Sequence, residues 1–121
     1  MQAAAALRAE RSDLSASAVC VLQVTSADLL HNDWTDQLKG GAHVETLSHV
    51  ENLLHSVPQT ATIVTVQDAH PAVLSWVGGV FGHRARSLGV NQFGQSGDLP
   101  ALYEYYGLST KKIVQVCRDV L

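Results

Sequence analysis

The β-branched run TATIVTVQ, residues 60–67, is the feature that most constrains the fold of this chain. Thr, Ile and Val are typical of strands because their branched side chains pack well on a pleated surface. The residues Asp68 to Pro71 close the run, and a helical pattern follows over residues 71–81, where the proline suits the first helical turn. A strand followed directly by a helix predicts an α/β fold with a parallel sheet.

Two further segments predict strands in the same sheet. Residues 18–24 form a continuous apolar run, which is typical of a strand buried on both faces, and a shorter strand is predicted over residues 86–90. Ser26 is predicted to cap a short helical turn that ends at Leu30, and the polar residues 31–41 are predicted to be a loop or a broken helix. Helices are also predicted over residues 2–11, 46–55, 99–106 and 109–121, with Gly107 as a C-cap between the last two.

Composition limits the class of protein. The chain has 121 residues, which predicts one domain, and its net charge of −3 with eight Lys and Arg argues against a nucleic-acid binder. No apolar run approaches the roughly 18 residues that span a bilayer, and the first residues lack the pattern of a signal peptide. Cys20 and Cys117 are predicted to be buried, reduced thiols, which is consistent with a cytosolic setting.

The glycine-rich stretch over residues 89–97 is a candidate phosphate loop. Its glycines do not have the dinucleotide-binding spacing, and no lysine follows to make a nucleotide-binding loop. Ser96 and Asp98 can satisfy the amides at the start of the next helix, and Pro100 fits its first turn. The stretch therefore predicts a structural turn, and an anion site at residues 94–99 stays open as the alternative.

Three histidines are candidates for a metal site. His43, His49 and His55 are six residues apart, which turns successive rings to different faces of a helix. Zinc sites use shorter, regular spacings. We therefore expect surface or partly buried histidines and no metal site.

Polar residues follow the predicted strands at the edge where α/β sheets bind their ligands. Ser26, Asp68, His70 and Asn91 would all lie beyond the carboxyl ends of strands. A Ser-His-Asp hydrolase could be drawn from the first three, but the motif G-x-S-x-G is missing around Ser26. Capping and domain-interface packing are the favoured roles, and we expect a rim that also includes Phe93.

The two C-terminal helices carry amphipathic patterns. Leu99, Leu102 and Tyr106 have helical spacing and predict core positions, whereas Tyr105 is expected to be exposed. In the last helix the residues predicted to point inward are Ile113, Cys117, Val120 and Leu121. The residues predicted to form its solvated face are Lys111, Lys112, Arg118 and Asp119.

Read together, these features resemble a known family. The order TIVTVQDAHP and then LGVNQFGQSGDLPALYEYYGLSTKKIVQVCRDVL resembles the C-terminal domain of transketolase-like, thiamine-diphosphate-dependent enzymes. Gly89, Phe93, Gly94 and Ser96 match the glycine turn of that family, and residues 106–109 match the aromatic and glycine that end its short helix. Upstream, LQVTSADLL resembles the second strand of the family and the turn after it.

The resemblance is closest to the homodimeric decarboxylating subunit of pyruvate or related 2-oxoacid dehydrogenase complexes, with transketolase as the runner-up. Asn91 stands where the family more often has Asp. The resemblance implies a three-layer α/β/α sandwich with a mixed, mostly parallel sheet, whose first strand would precede residue 1. Residues 1–121 would then be one domain of a larger chain.

The same resemblance implies what this domain does and does not bind. Thiamine diphosphate and Mg²⁺ would be held by the preceding domains of the parent enzyme, so no catalytic, cofactor or metal residue is expected here. The implied partners are the other domains of the subunit, a second copy of the parent and a lipoyl-bearing acyltransferase. The implied location is the cytoplasm, or the mitochondrial matrix of a eukaryote. A stand-alone anion-binding or regulatory α/β module is the alternative.

Overall fold

The computed structural model describes residues 1–10, 19–40, 46–92 and 96–120. The elements in chain order are α1 (Gln2–Glu10), α2 (Ala27–Lys39), α3 (His49–Leu54), β1 (Thr62–Val66), α4 (Ala72–Ser75), a 3₁₀ helix (Trp76–Gly79), β2 (Arg84–Leu88), α5 (Leu99–Tyr105) and α6 (Thr110–Val120). They fall into two compact units. The first unit comprises Met1–Gln23, Val66–Pro71 and Leu88–Leu121, and the second comprises Val24–Thr65 and Ala72–Ser87.

In the first unit, an ion pair joins the two terminal helices. α1 packs against α6, and each helix has one buried apolar residue, Leu7 and Val114. The guanidinium of Arg118 donates to both carboxylate oxygens of Glu10, at 3.0 and 2.5 Å. The hydrogen bond and the charge of Glu10 raise the pKa of Arg118.

The second unit holds a small apolar core. Val50 and Leu54 of α3 and Val77 of the 3₁₀ helix are buried together. The half-buried side chains packed against them are Leu30, Trp34, Val57, Ile63, Leu74, Trp76, Val80 and Phe81. Leu30 and Trp34 are four residues apart, so they lie on one face of α2 and direct that face to this core.

β1 and β2 form a two-stranded parallel sheet, which is compatible with the predicted α/β class. The Gln67 amide donates to the Leu88 carbonyl at 3.2 Å, a register that pairs Thr62 with Arg84 and Val64 with Arg86. The crossover between the strands runs through α4 and the 3₁₀ helix. Gly78 lies so close to β2 that a Cβ atom there would be 2.7 Å from the Cβ of Ala85, which explains the glycine in this helix.

The strand predicted over residues 18–24 is wrong for the part that the structure describes. Val19 to Val24 join no strand, and the side chains of Val21, Leu22 and Val24 are 43, 47 and 38% exposed. An apolar run becomes a strand only when a ladder partner satisfies its amides and carbonyls. Cys20, expected to be buried, is exposed in this segment.

The helix after Ser26 is longer than predicted. α2 continues from Ala27 through Lys39, where a loop or a broken helix was expected, and Gly41 lies outside the described residues. Packing against α3 and α4 stabilises this polar segment, because two turns of it place Leu30 and Trp34 on the core.

The remaining predicted elements are confirmed with shifted ends. α3 begins at His49 because Ser48 caps it, and β2 begins at Arg84, two residues before the predicted start. The helix predicted over residues 71–81 is divided into α4 and the 3₁₀ helix. Gly107 is confirmed as the cap after α5, with φ of 71°. No helix among the described residues is long and apolar enough to cross a bilayer.

Candidate functional site

The carboxyl ends of β1 and β2 bring three of the predicted rim residues into one region of the first unit. Asp68 and His70 lie in the loop after β1, and Asn91 lies three residues after β2. The Val90 amide donates to the carbonyl oxygen of Ala69 at 2.9 Å, which ties the two strand ends together. The structure thus places Asp68, His70 and Asn91 after the ends of β1 and β2, while Phe93 lies outside the described residues. A role for these residues in a domain-interface rim stays a prediction.

Gly89 explains how the two strand ends come so close. A Cβ atom at position 89 would overlap the carbonyl oxygen of Ala69 and would lie 3.0 Å from the Pro71 nitrogen. Only glycine lets the backbones approach to this distance. The first glycine of the quoted motif therefore has a packing role that needs no ligand.

Two tyrosines anchor the segment after β2. The Tyr106 hydroxyl donates to the Gln92 carbonyl at 2.8 Å, and the Tyr105 hydroxyl lies 3.5 Å from the Gln92 side-chain oxygen. Their rings meet edge to face, with centroids 5.0 Å apart. Tyr106 is half-buried and Tyr105 is 58% exposed, but Leu99, predicted to be core, is 66% exposed. Helical spacing alone did not reveal the hydroxyl contact of Tyr106, which needs the fold of residues 89–92.

The amino end of α5 is occupied by its own side chain. The Asp98 carboxylate accepts from the Ala101 amide at 3.1 Å, and a proline stands in the first turn. This confirms the predicted capping role of Asp98. A carboxylate at this point repels phosphate, and α5 has only seven residues. The described residues here do not fit a diphosphate group.

Ser26 belongs to the second unit, whereas Asp68, His70 and Asn91 belong to the first. Its hydroxyl donates to the Asp28 carboxylate at 2.6 Å, and it makes no capping bond to an α2 amide. That hydrogen bond is the main cause that lowers the pKa of Asp28. The Ser26 hydroxyl is thus engaged within its own helix start.

The described residues contain no group of three or more His, Cys, Asp or Glu that could hold a metal ion. His49 and His55 are exposed on or after α3, and His43 lies outside the described residues. Among the described residues of the strand-end region, the contact of Gly89 with Ala69 and Pro71 holds the two backbone segments together.

An open groove of about 880 Å³ lies elsewhere in the first unit, between α1 and residues 19–21. Its lining is mainly apolar, and the Arg8 guanidinium in it donates to the Val19 carbonyl at 2.7 Å. Cys20 lies at its wall and is a free thiol. The groove brings no acid–base pair together.

In α6, the residues predicted to point inward are less exposed than those predicted to face solvent. The described inward positions Ile113, Cys117 and Val120 are half-buried, and the buried residue beside them is Val114. The predicted solvated face, Lys111, Lys112, Arg118 and Asp119, is exposed. Leu121 lies outside the described residues.

Comparisons with protein-family models, with curated proteins and with solved structures found no match for this chain.

Proposed function

We propose that this chain is the non-catalytic C-terminal domain of a thiamine-diphosphate-dependent, pyruvate dehydrogenase-like decarboxylating subunit, and that it supports subunit packing and dimer assembly. The observation that carries the proposal is one sequence order, in which a strand, the GVNQFGQSG turn, a short helix ending in Tyr-Gly and an amphipathic helix follow one another. In the parent enzyme a 2-oxoacid is decarboxylated and its acyl unit passes to the lipoyl group of an acyltransferase.

The contacts of two motif residues support a packing role. Gly89 is needed for the close approach to Ala69, and Tyr106 donates its hydroxyl to the backbone of Gln92. Both contacts fix the path of the backbone after β2. A motif with such contacts suits a domain that completes a subunit and leaves cofactor binding to its neighbours.

Exposed apolar side chains in the first unit support a domain that packs against other surfaces. Val21, Leu22, Leu99 and Tyr105 are 43, 47, 66 and 58% exposed. Burial of such exposed apolar surface against another domain is favourable. Under the proposal, these residues contact the other domains of the subunit or the second subunit of the dimer.

The proposal assigns the cofactors to other domains. Thiamine diphosphate and Mg²⁺ are held by the domains that precede this one, in the cytoplasm or in the mitochondrial matrix. Isothermal titration of the 121-residue chain with thiamine diphosphate and Mg²⁺ is therefore expected to give no saturable heat. Binding with a 1:1 stoichiometry would contradict the non-catalytic role.

A chimera tests the packing role directly. The C-terminal domain of a homodimeric pyruvate dehydrogenase decarboxylating subunit is replaced by this chain, and dimer assembly is followed by sedimentation. We expect a dimer with pyruvate decarboxylation. The proposal fails if the chimera stays monomeric and inactive although this chain, expressed alone, shows a cooperative unfolding transition.

The same exchange in a transketolase tests whether this chain is instead a transketolase C-terminal domain. The parent enzyme whose chimera assembles better identifies the branch of the family.

The remaining alternative is an anion-binding or regulatory module at residues 94–99. Titration with phosphate, sulfate and nucleotide, followed at the amides of these residues, distinguishes it. Saturable shifts at millimolar ligand would favour the module over the domain role.

A further inference from the structure

Two arginine side chains of β2 have no acidic partner among the residues that the structure describes. Arg84 and Arg86 are exposed, and the side chain of neither forms a hydrogen bond or an ion pair with a residue that the structure describes. The side chain of Ala85 faces Gly78, so the alternation of a strand places Arg84 and Arg86 together on the opposite face of the sheet. Two residues of a strand separate their Cα atoms by about 6.5 Å.

The carboxylates that the structure describes in the second unit each accept a hydrogen bond from another residue. Asp28 and Asp36 accept from the side chains of Ser26 and Lys39, at 2.6 and 3.1 Å. Asp33 accepts from the His49 amide at 2.6 Å, and Glu51 accepts from Ser48. Lys39 pairs with Asp36, so the unpaired Lys and Arg side chains among the described residues of this unit are those of Arg84 and Arg86.

The backbone of β2 is open on the same edge. The register set by Gln67 and Leu88 turns the amides and carbonyls of Arg84 and Arg86 toward β1. Those of Ala85 and Ser87 therefore point away from β1, and they form no backbone hydrogen bond within the described chain outside the β1–β2 ladder. An open edge of this kind is a template for a further strand.

We propose that this edge of β2 binds an extended peptide segment that carries carboxylates at alternate positions. A strand added beside β2 takes its hydrogen bonds from Ala85 and Ser87 and places every second side chain on the face of Arg84 and Arg86. Cross-strand neighbours on one face lie about 5 Å apart, within reach of a carboxylate–guanidinium contact. The proposal concerns a surface outside the strand-end region and does not depend on the proposed function.

The two arginines favour an acidic peptide over a second copy of β2 and over a nucleic acid. A second copy of β2 would bring two more arginines to the same edge, which is unfavourable for like charges on facing strands. A nucleic acid would meet two cations among the described residues of β2, and it lacks the alternating amides and carbonyls that pair with a sheet edge. An acidic strand would pair its carboxylates with the two arginines and would hydrogen-bond to the amides and carbonyls of Ala85 and Ser87.

The test uses the full chain and a fluorescein-labelled peptide of alternating Val and Glu. We expect saturable binding by fluorescence anisotropy, with amide shifts and slowed hydrogen exchange at Ala85 and Ser87. The double variant Arg84→Gln/Arg86→Gln is expected to bind about twofold to thirtyfold more weakly, the range for two cross-strand charge pairs. The matched control Lys111→Gln/Lys112→Gln removes the same charge from α6 and is expected to leave binding unchanged. An equal loss in the control would overturn the proposal.

Two further measurements separate strand addition from charge attraction. The variant Arg84→Glu/Arg86→Glu is expected to prefer a peptide of alternating Val and Lys, which also shows that the altered protein is folded and competent. A Val-Glu peptide methylated on its edge-pairing amide nitrogens is expected not to bind. Equal binding of the methylated peptide, or equal competition by a single-stranded oligonucleotide of the same charge, would overturn the proposal.

Discussion

Gly89 lies against the carbonyl oxygen of Ala69. The same oxygen accepts a hydrogen bond from the amide of Val90, the residue that follows Gly89. This contact joins the ends of the two strands. Its geometry leaves no room for a side chain at position 89, because the Pro71 nitrogen closes the other side at 3.0 Å from any Cβ atom. The strand-end region therefore depends on one glycine.

Gly89→Ala is expected to destabilise the chain by about 1–3 kcal/mol, the usual range when a new atom is forced into a packed position. Urea unfolding followed by circular dichroism measures the loss. Gly79→Ala is the matched control, because no atom lies within 4 Å of its added methyl group and its φ is not positive. That variant is expected to be neutral or slightly stabilised. Equal stabilities for both variants would refute the close approach.

Ser48→Ala is expected to cost about 1–2 kcal/mol of unfolding free energy. Ser48 is 1% exposed and forms a capping box with Glu51, in which each residue accepts from the amide of the other. Ser56→Ala changes an exposed serine two residues after α3 and is expected to stay within about 0.5 kcal/mol of the wild type. A loss of similar size in both variants would show that the cap contributes nothing special.

The two thiols are expected to react at different rates. Burial raises the pKa of the Cys117 thiol, so less of it is the reactive thiolate at a given pH, whereas Cys20 is exposed. Iodoacetamide labelling at pH 8, read by mass spectrometry in Cys20→Ser and Cys117→Ser variants, should show faster labelling of Cys20. The rate at Cys117 should keep rising at higher pH. In urea the two rates should converge, and equal rates in the folded chain would contradict the burial of Cys117.

Ser26→Ala is expected to raise the pKa of Asp28 toward its ordinary value, because the Ser26 hydroxyl is the main cause of its lowering. A carboxylate whose pKa is lowered by folding contributes stability above its unfolded pKa and loses it as the pH falls through the folded value. Carbon NMR of the Asp28 carboxyl group during an acid titration measures the shift. Ser26→Thr keeps the hydroxyl and should titrate like the wild type. An unchanged Asp28 in the alanine variant would exclude this hydrogen bond.

The sequence predicted the elements whose pattern is local. β1 lies inside the predicted residues 60–67, and Asp98 and Gly107 cap their helices as expected, because each depends on neighbouring residues alone. The capping box of Ser48 and Glu51 was also readable as an S-x-x-E pattern, which our prediction of a helix from residue 46 overlooked.

The sequence did not predict the features that depend on tertiary packing. The helical character of residues 31–39 comes from Leu30 and Trp34 meeting the core across α2, against a polar composition. The apolar residues 19–24 favoured a strand, although strand formation is decided by a partner elsewhere in the chain. At the candidate site, β2 ends at Leu88, before Gly89, which was predicted to lie inside the strand, and the Tyr106–Gln92 hydrogen bond required the turn itself.

The two tryptophans of the chain, Trp34 and Trp76, stack in the second unit with ring centroids 5.2 Å apart and an interplanar angle of 18°. All three tyrosines, Tyr103, Tyr105 and Tyr106, belong to the first unit. The indole chromophores therefore lie in the second unit and the phenol chromophores in the first. Exciton-coupled circular dichroism of the indole pair reports on one unit, and tyrosine absorbance reports on the other. A single unlabelled sample can thus reveal whether the two units melt in one transition or in two.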